Sequence, residues 1–454
     1  MRQRPRNRGM TRVEHDILGS IELPFSALYG IQTARAIINF PVSGVSISQL
    51  PDLIRALALV KKSTARTNSK LGHLKSEKAS IIEKVCDEII SGQHLEYFPV
   101  DVFQGGAGTS TNMNINEVIA NRGLELMGLP CGSYTHLHPN DDVNKSQSTN
   151  DVYPTAVRIA LMTAIPQLMD QLLELAAAFE SKGHEFSGIQ KLGRTELQDA
   201  VPMTLGAEMR AYGVTIREDV ERLRATVGLL SEVNLGGTAI GTGVAAPPGY
   251  QEAVVAELAI LSRLPIKPAA DLVEASWDAG VFVHVSGVLK RVATKLSKIA
   301  NDLRLLSSGP RGGFGEIRLP AMQAGSSIMP GKVNPVICEM VNQVAFHVIG
   351  ADVSITFAAE AGQLQLNAFE PLMAFGILQS VTLLRNASEI FRQKCVNGIE
   401  ADAERCRRNL EASTANFAEL APQIGYDEAS SLAKEMLSKG ETWADVVQRL
   451  KIKD

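Results

Sequence analysis

Residues 323–335, QAGSSIMPGKVNP, set two adjacent serines behind Gly325 and follow them with Lys332 and Asn334, yet no histidine lies close by in sequence. A phosphate-cradling loop is excluded: five residues separate Gly325 from Gly331 where four are needed, and Val333 stands where a Ser or Thr must follow the lysine. A nucleophile elbow is excluded too, because neither Ser326 nor Ser327 has the Gly-x-Ser-x-Gly frame. What remains is an ordinary surface loop or a loop whose serine is activated by something other than histidine.

Three other polar clusters could share the chemistry. HPNDDVNKSQSTND (138–151) gathers Ser148, Thr149, Asn150 and Asp151 ahead of an expected helix with Pro154 in its first turn. One of these side chains would suffice as an N-cap; the surplus donors at the positive end of a helix make a seat for a carboxylate. QGGAGTSTNMN (104–114) offers Thr109, Ser110, Thr111 and Asn112 beside glycines that allow close backbone approach. GRTELQDAVP (193–202) supplies Thr195 and Glu196 before another long helix. NLGGTAIGTG (234–243) follows a helix rather than a strand, so it reads as a tight interhelical loop and not as a dinucleotide fingerprint. The eight histidines show no paired ligand spacing, which leaves a built-in metal without support.

Long helices must position these clusters. Leu161, Ile165, Leu168, Leu172, Leu175 and Phe179 alternate steps of four and three, and Leu205, Met209, Tyr212, Ile216, Val220, Leu223, Val227 and Leu230 follow one another at steps of three or four. A third series runs from Val285 to Leu306, and residues 338–361 and 364–395 continue as apolar helices broken near Gly362. Strand patterns are scarce. The expectation is a mainly all-α chain with five helices, several near thirty residues or longer, whose apolar circumference is too wide for one slender bundle and points to packing across subunits of a homo-oligomer. A chain of 454 residues with net charge −4 gives no general reason to expect nucleic acid. Five cysteines without CxxC spacing suit a reducing compartment, and no apolar stretch reads as a membrane span, so the expected location is cytoplasmic. The basic N-terminus, MRQRPRNRG, reads as a disordered leader covering residues 1–12, with Met10 as an alternative start.

GSSIMPGKVNP, GGAGTSTNMN, NKSQSTNDVYPT and GRTELQDAVPMTLG together resemble the fumarase/aspartase superfamily of lyases, over about Val13 to Lys439. Ala107, Thr149 and the run 341–367 resemble the aspartate ammonia-lyase branch more than class II fumarase, whereas Gly331 and Asp142 are fumarase-like. The resemblance implies three domains, 1–147, 148–399 and 400–454, and a homotetramer whose central helices form a shared bundle. It implies active sites built from three chains and closed by the GSS loop. By motif, Ser326 is the base that removes a proton beta to the amine. Thr109, Ser148, Thr149 and Ser327 bind the carboxylate that takes up charge as an aci-carboxylate, Lys332 and Asn334 hold the other carboxylate, and Asn150 and Thr195 orient the departing ammonium. Glu339 stands behind them, paired with position 196. No cofactor is implied.

Position 196 departs from the pattern, being glutamate where aspartases resemble each other in glutamine or histidine. The superfamily also contains hydratases, lyases of histidine-betaine-like amines and non-catalytic lens proteins, so the resemblance leaves these reactions open.

Overall fold

The computed structural model describes residues 10–450. The five expected long helices are Thr149–Glu185, Leu205–Leu229, Gly280–Leu306, Val336–Glu360 and Glu370–Lys394, the first of 37 residues and the others of 25 to 27. The chain is mainly α-helical. Burial follows the periodicity that predicted it: Leu161, Ile165, Leu168, Leu172, Leu175 and Phe179 are all inside. The break near Gly362 is real, since a Cβ there would come within 2.9 Å of the Asn367 side chain. Asn367 donates to the carbonyls of Ala358 and Ala359, ending the preceding helix.

The chain forms two compact units. One comprises 1–167, 223–289 and 350–382; the other comprises 168–222, 290–349 and 383–454. In the first, helix Pro51–Lys70 packs on Ser76–Ile90 and Tyr250–Ser262, and helix Thr109–Leu126 packs on Ile31–Asn39. In the second, Phe179 meets Tyr212 and Phe391 edge-on, with ring centroids 5.5 and 6.0 Å away, locking three long helices together. A satellite core of Phe417, Leu420, Met436 and Val446 holds the last helices, with Trp443 edge-on to Phe417.

Strands are few and paired in twos among the described residues. Thr11–Asp16 pairs antiparallel with Gly19–Pro24, so Thr11 and Arg12, expected in the leader, are strand residues instead. Arg12 pairs with Glu14 at 2.9 Å and donates to the carbonyls of Ala27 and Tyr29, which fixes the strand start. Residues 1–9 of that leader lie outside the described residues. The second hairpin, Gln190–Thr195 with Gln198–Thr204, was not foreseen. Its two-residue turn puts Glu196 and Leu197 at φ 54° and 65°, the geometry of a primed turn without the Gly or Asn that normally announces it.

Helix Val336–Glu360 is long and apolar enough to cross a membrane by length and composition, contrary to the sequence reading, and only 33% of its most apolar window is buried. Phe346, Val353 and Phe357 stand exposed along it.

The start of helix Leu205–Leu229 depends on Gly206, where a Cβ would lie 2.4 Å from the Gly183 carbonyl oxygen and 2.7 Å from Ser187 backbone atoms. Backbone cannot yield as a flexible side chain does. Gly206→Ala should therefore cost about 1–3 kcal/mol and lower the thermal midpoint; a calorimetric midpoint equal to wild type would contradict this close approach.

Candidate active site

In the first unit the expected donors lie at two helix N-termini. Thr109 opens helix Thr109–Leu126 after Gly106, Ala107 and Gly108, all at positive φ, and its hydroxyl donates to the Gly106 carbonyl at 2.7 Å. Gly108 must lack a side chain, because a Cβ would meet the Tyr153 ring at 2.5 Å. The second helix starts at Thr149, so Thr149, Asn150 and Asp151 form its first turn rather than preceding it, and Pro154 falls in its second turn. Ser148 caps it: its Oγ accepts from the Asn150 N–H, and the Asp151 carboxylate accepts from the Ser148 N–H at 2.9 Å, a reciprocal capping box.

Asp151 also accepts from the Gly236 and Thr238 N–H groups, both at 3.0 Å, which binds the glycine-rich loop to the helix start. Asn150 Nδ2 donates to the Ala239 carbonyl at 2.7 Å, so its amide nitrogen is engaged and its carbonyl oxygen is the end that can accept. Asn112 joins the two helix starts by donating to Thr149 Oγ1 at 3.0 Å.

The second unit holds Thr195, Glu196, Ser326, Ser327, Lys332, Asn334 and Glu339. In the loop, Ser326 Oγ accepts from the Ile328 and Met329 N–H groups at 3.1 and 3.0 Å. Gly325 N–H donates to the Lys332 carbonyl at 2.8 Å, Asn334 Nδ2 donates back to the Gly325 carbonyl, and a Cβ on Gly325 would strike the Lys332 oxygen at 2.5 Å. The loop is thus closed on itself by its glycine, while Ser327 and Lys332 stay exposed. Lys332, Asn334 and Glu339 line a cavity of about 890 Å³ together with Arg304, Arg318 and Arg405. Thr195 ends its strand and Glu196 sits exposed at the turn. Among the described residues Glu196 has no ion pair or hydrogen bond in its own chain, so the expected pairing with Glu339 is not made there. Also among the described residues, no group of three or more His, Cys, Asp and Glu side chains could hold a metal ion.

Residues 19–350 match a protein family described as Lyase. The aspartate ammonia-lyase of Pseudomonas aeruginosa is 55% identical over 98% of this chain and 94% of its own. A solved fumarate lyase:delta crystallin from Brucella melitensis, bound to cobalt, superposes with a TM-score of 0.95 at 56% identity, covering 98% of this chain and 96% of that one. The class II fumarase of Schistosoma mansoni superposes with a TM-score of 0.93 at 35% identity, over 98% and 96% of the two chains. The chain belongs to the fumarase/aspartase superfamily of lyases. Its aspartase-like character, read from Thr149 and the run 341–367, agrees with these identities.

The lyase chain also contains a buried group that the motifs did not reveal. Lys61 is fully buried and donates to Asn144 Oδ1 at 2.8 Å and Gln147 Oε1 at 2.9 Å, while Asn112 and Asn116 also donate to Asn144 Oδ1. Its signal in the sequence is a lysine four residues after Leu57, on the buried stripe of helix Pro51–Lys70. Burial pushes the Lys61 ammonium down to about 7, against the opposing pull of Asp151, and burial pushes the Asp151 carboxyl up to about 6. For Lys61 the folded chain binds fewer protons than the unfolded chain between the lowered value and the ordinary one of 10.5. Its contribution to stability therefore rises with pH across that window. Lys61→Met should remove that rise, so the wild-type minus variant difference in denaturation free energy should grow from pH 7 towards 10; a flat difference would contradict the burial of a titrating lysine.

Proposed function

We propose that the chain is an aspartate ammonia-lyase that converts L-aspartate to fumarate and ammonia. The observation that carries the chemistry is Ser326, whose oxygen accepts two main-chain N–H groups and so has donors in place for an alkoxide. The choice of aspartate follows the 55% identity to the Pseudomonas aeruginosa enzyme.

As an alkoxide, Ser326 takes the C3 proton. The electron pair passes into the adjacent carboxylate, giving a dianionic aci-carboxylate, and then returns to form the C2–C3 double bond as the C2–N bond breaks and ammonia leaves. Thr109, Ser148, Thr149 and Ser327 bind the carboxylate that gains charge; the first three stand at or next to helix N-termini, where partial positive charge is fixed in advance. Lys332 and Asn334 hold the other carboxylate. Asn150, whose amide nitrogen is already engaged, offers its oxygen to the ammonium with Thr195. Glu339 supports Glu196 from behind. No organic cofactor enters this scheme.

The active form in this reading is a homotetramer in which three chains complete each site, and the chain acts in the cytoplasm. The exposed Phe346, Val353 and Phe357 on an apolar helix support a further copy of this chain as the covering surface. The domains in this reading are 1–147, 148–399 and 400–454.

Glu196 favours a second reading, a lyase of a different amine. An ionised carboxylate 4 Å from a dicarboxylate substrate would cost about 4 kcal/mol at an effective dielectric of 20. Proton sharing with Glu339 of another chain would remove that cost; a substrate with a cationic group there would exploit it.

One assay separates the readings. The purified chain should generate the ultraviolet absorbance of fumarate's conjugated bond from L-aspartate, and Ser326→Ala should lower kcat by about 10³-fold while leaving substrate binding largely intact. Silence on aspartate with turnover of an imidazole-bearing amine would establish the second reading, and a normal kcat in Ser326→Ala would remove Ser326 as the base.

A further inference from the structure

The turn carrying Thr195 and Glu196 is strained and exposed, yet it must hold two reacting-site side chains in place. Left-handed backbone costs a non-glycine residue about 1–2 kcal/mol, and here two such residues are consecutive. Strain of this kind persists only where the surroundings over-determine it.

The fixing contacts lie one residue away. Glu316 is completely buried, and its Oε1 accepts from Arg194 at 2.7 Å and from Asn409 Nδ2 at 3.0 Å. Lys191 Nζ lies 3.1 Å from Oε2 and donates to Glu208 at 2.7 Å. The guanidinium of Arg194 also stacks on Phe314, 4.1 Å from the ring centroid. Lys191 and Arg194 are three apart and would face opposite sides of a regular strand. The register slips between Leu192 and Arg194, where Gly193 stands opposite two residues of the partner strand, and both side chains reach one carboxylate across this irregularity. Gly193 permits it, since a Cβ there would come within 2.7 Å of the Val201 carbonyl oxygen. Burial pushes the Glu316 carboxyl up, but Arg194, Lys191 and Asn409 together hold it below the ordinary glutamate range, so it stays ionised against its two cations.

We propose that Glu316 is a positioning residue of the lyase reaction: by binding Lys191 and Arg194 together, it fixes the turn from which Thr195 orients the departing ammonium. The proposal rests on the role given to Thr195 above. Glu316 does not touch substrate. It anchors the base of the turn to segment 314–318 and, through Asn409, to helix Ala403–Glu411, which packs on the strand. Helix Ala403–Glu411, whose Arg405 also lines the cavity beside Lys332, thereby acts on the turn through Asn409.

The test is a double-mutant cycle on the intact enzyme. Glu316→Gln keeps the shape and one acceptor but removes the charge; it should lower kcat about 10-fold with KM changed less than about threefold. Added to Thr195→Val it should cause no further fall, because both act through one side chain. Glu441→Gln, which breaks a 3.0 Å pair with Arg449 away from the cavity, should leave kcat unchanged. An unchanged kcat in Glu316→Gln, or a full further fall in the Thr195→Val background, overturns the proposal while the site reading stands. If Glu316→Gln fails to fold, Asn409→Ala decides: a fall of about threefold that vanishes in the Thr195→Val background supports the proposal, and no fall overturns it. A Thr195→Val enzyme with wild-type kcat would overturn the proposal together with the reading of Thr195 on which it rests.

Discussion

The Asn112–Thr149 hydrogen bond ties together the starts of two helices, and most of the first unit is arranged to keep them there. In the proposed reaction the constraint behind it is electrostatic. A carbanion beside a carboxylate adds a second negative charge to a small volume, and donors stabilise it efficiently only if they need not reorient when it forms. Helix N-termini meet that demand, because their N–H groups are fixed by the helix itself. Keeping two of them in register then requires the buried polar scaffold of Lys61, Asn144, Asn116 and Gln147, with Asp151 binding the glycine-rich loop from the other side. Asn144 Oδ1 alone accepts from three donors, whereas the buried amide oxygens of Asn112 and Asn116 have no partner, so the network carries a desolvation cost.

The second unit solves a different problem. Its serine loop holds itself by a few local bonds, whereas the Thr195–Glu196 turn is tied to residues far away in sequence. The contrast is visible in the contacts. Around Ser326 the partners are N–H groups two and three residues away, which travel with the loop. Around the turn they are a buried carboxylate and an aromatic ring more than a hundred residues distant in sequence, which do not. Charge-assisted bonds in a dry setting hold the turn, and local bonds hold the loop.

The long helices were legible because a wide apolar stripe repeats over many turns, and that signal survives any tertiary context. The donor clusters were legible because several hydroxyl and amide residues together exceed what capping needs. The start of helix Thr149–Glu185 was misjudged, since Thr149 and Asn150 are as suited to a cap as to a first turn, and only the Ser148–Asp151 reciprocity decides between them. The 190–204 hairpin was invisible: Thr-Glu-Leu-Gln carries no turn signal, and the contacts at its base come from Glu316, far away in sequence. The strand at Thr11 was hidden for a similar reason, because Arg12 reads as part of a basic leader until its acceptors at Glu14, Ala27 and Tyr29 are seen.

The central claim is that the donors at Thr109, Ser148, Thr149 and Ser327 serve the charge that develops and not the substrate as it arrives. It is tested most directly by comparing two ligands on wild type and Thr149→Val: aspartate, and its analogue with the side-chain carboxylate replaced by a nitro group, whose nitronate mimics the aci-carboxylate. The account predicts that the substitution weakens nitronate binding by about 2–4 kcal/mol, roughly 30- to 1,000-fold, while the affinity for aspartate changes by less than about threefold. Equal losses for the two ligands would contradict it.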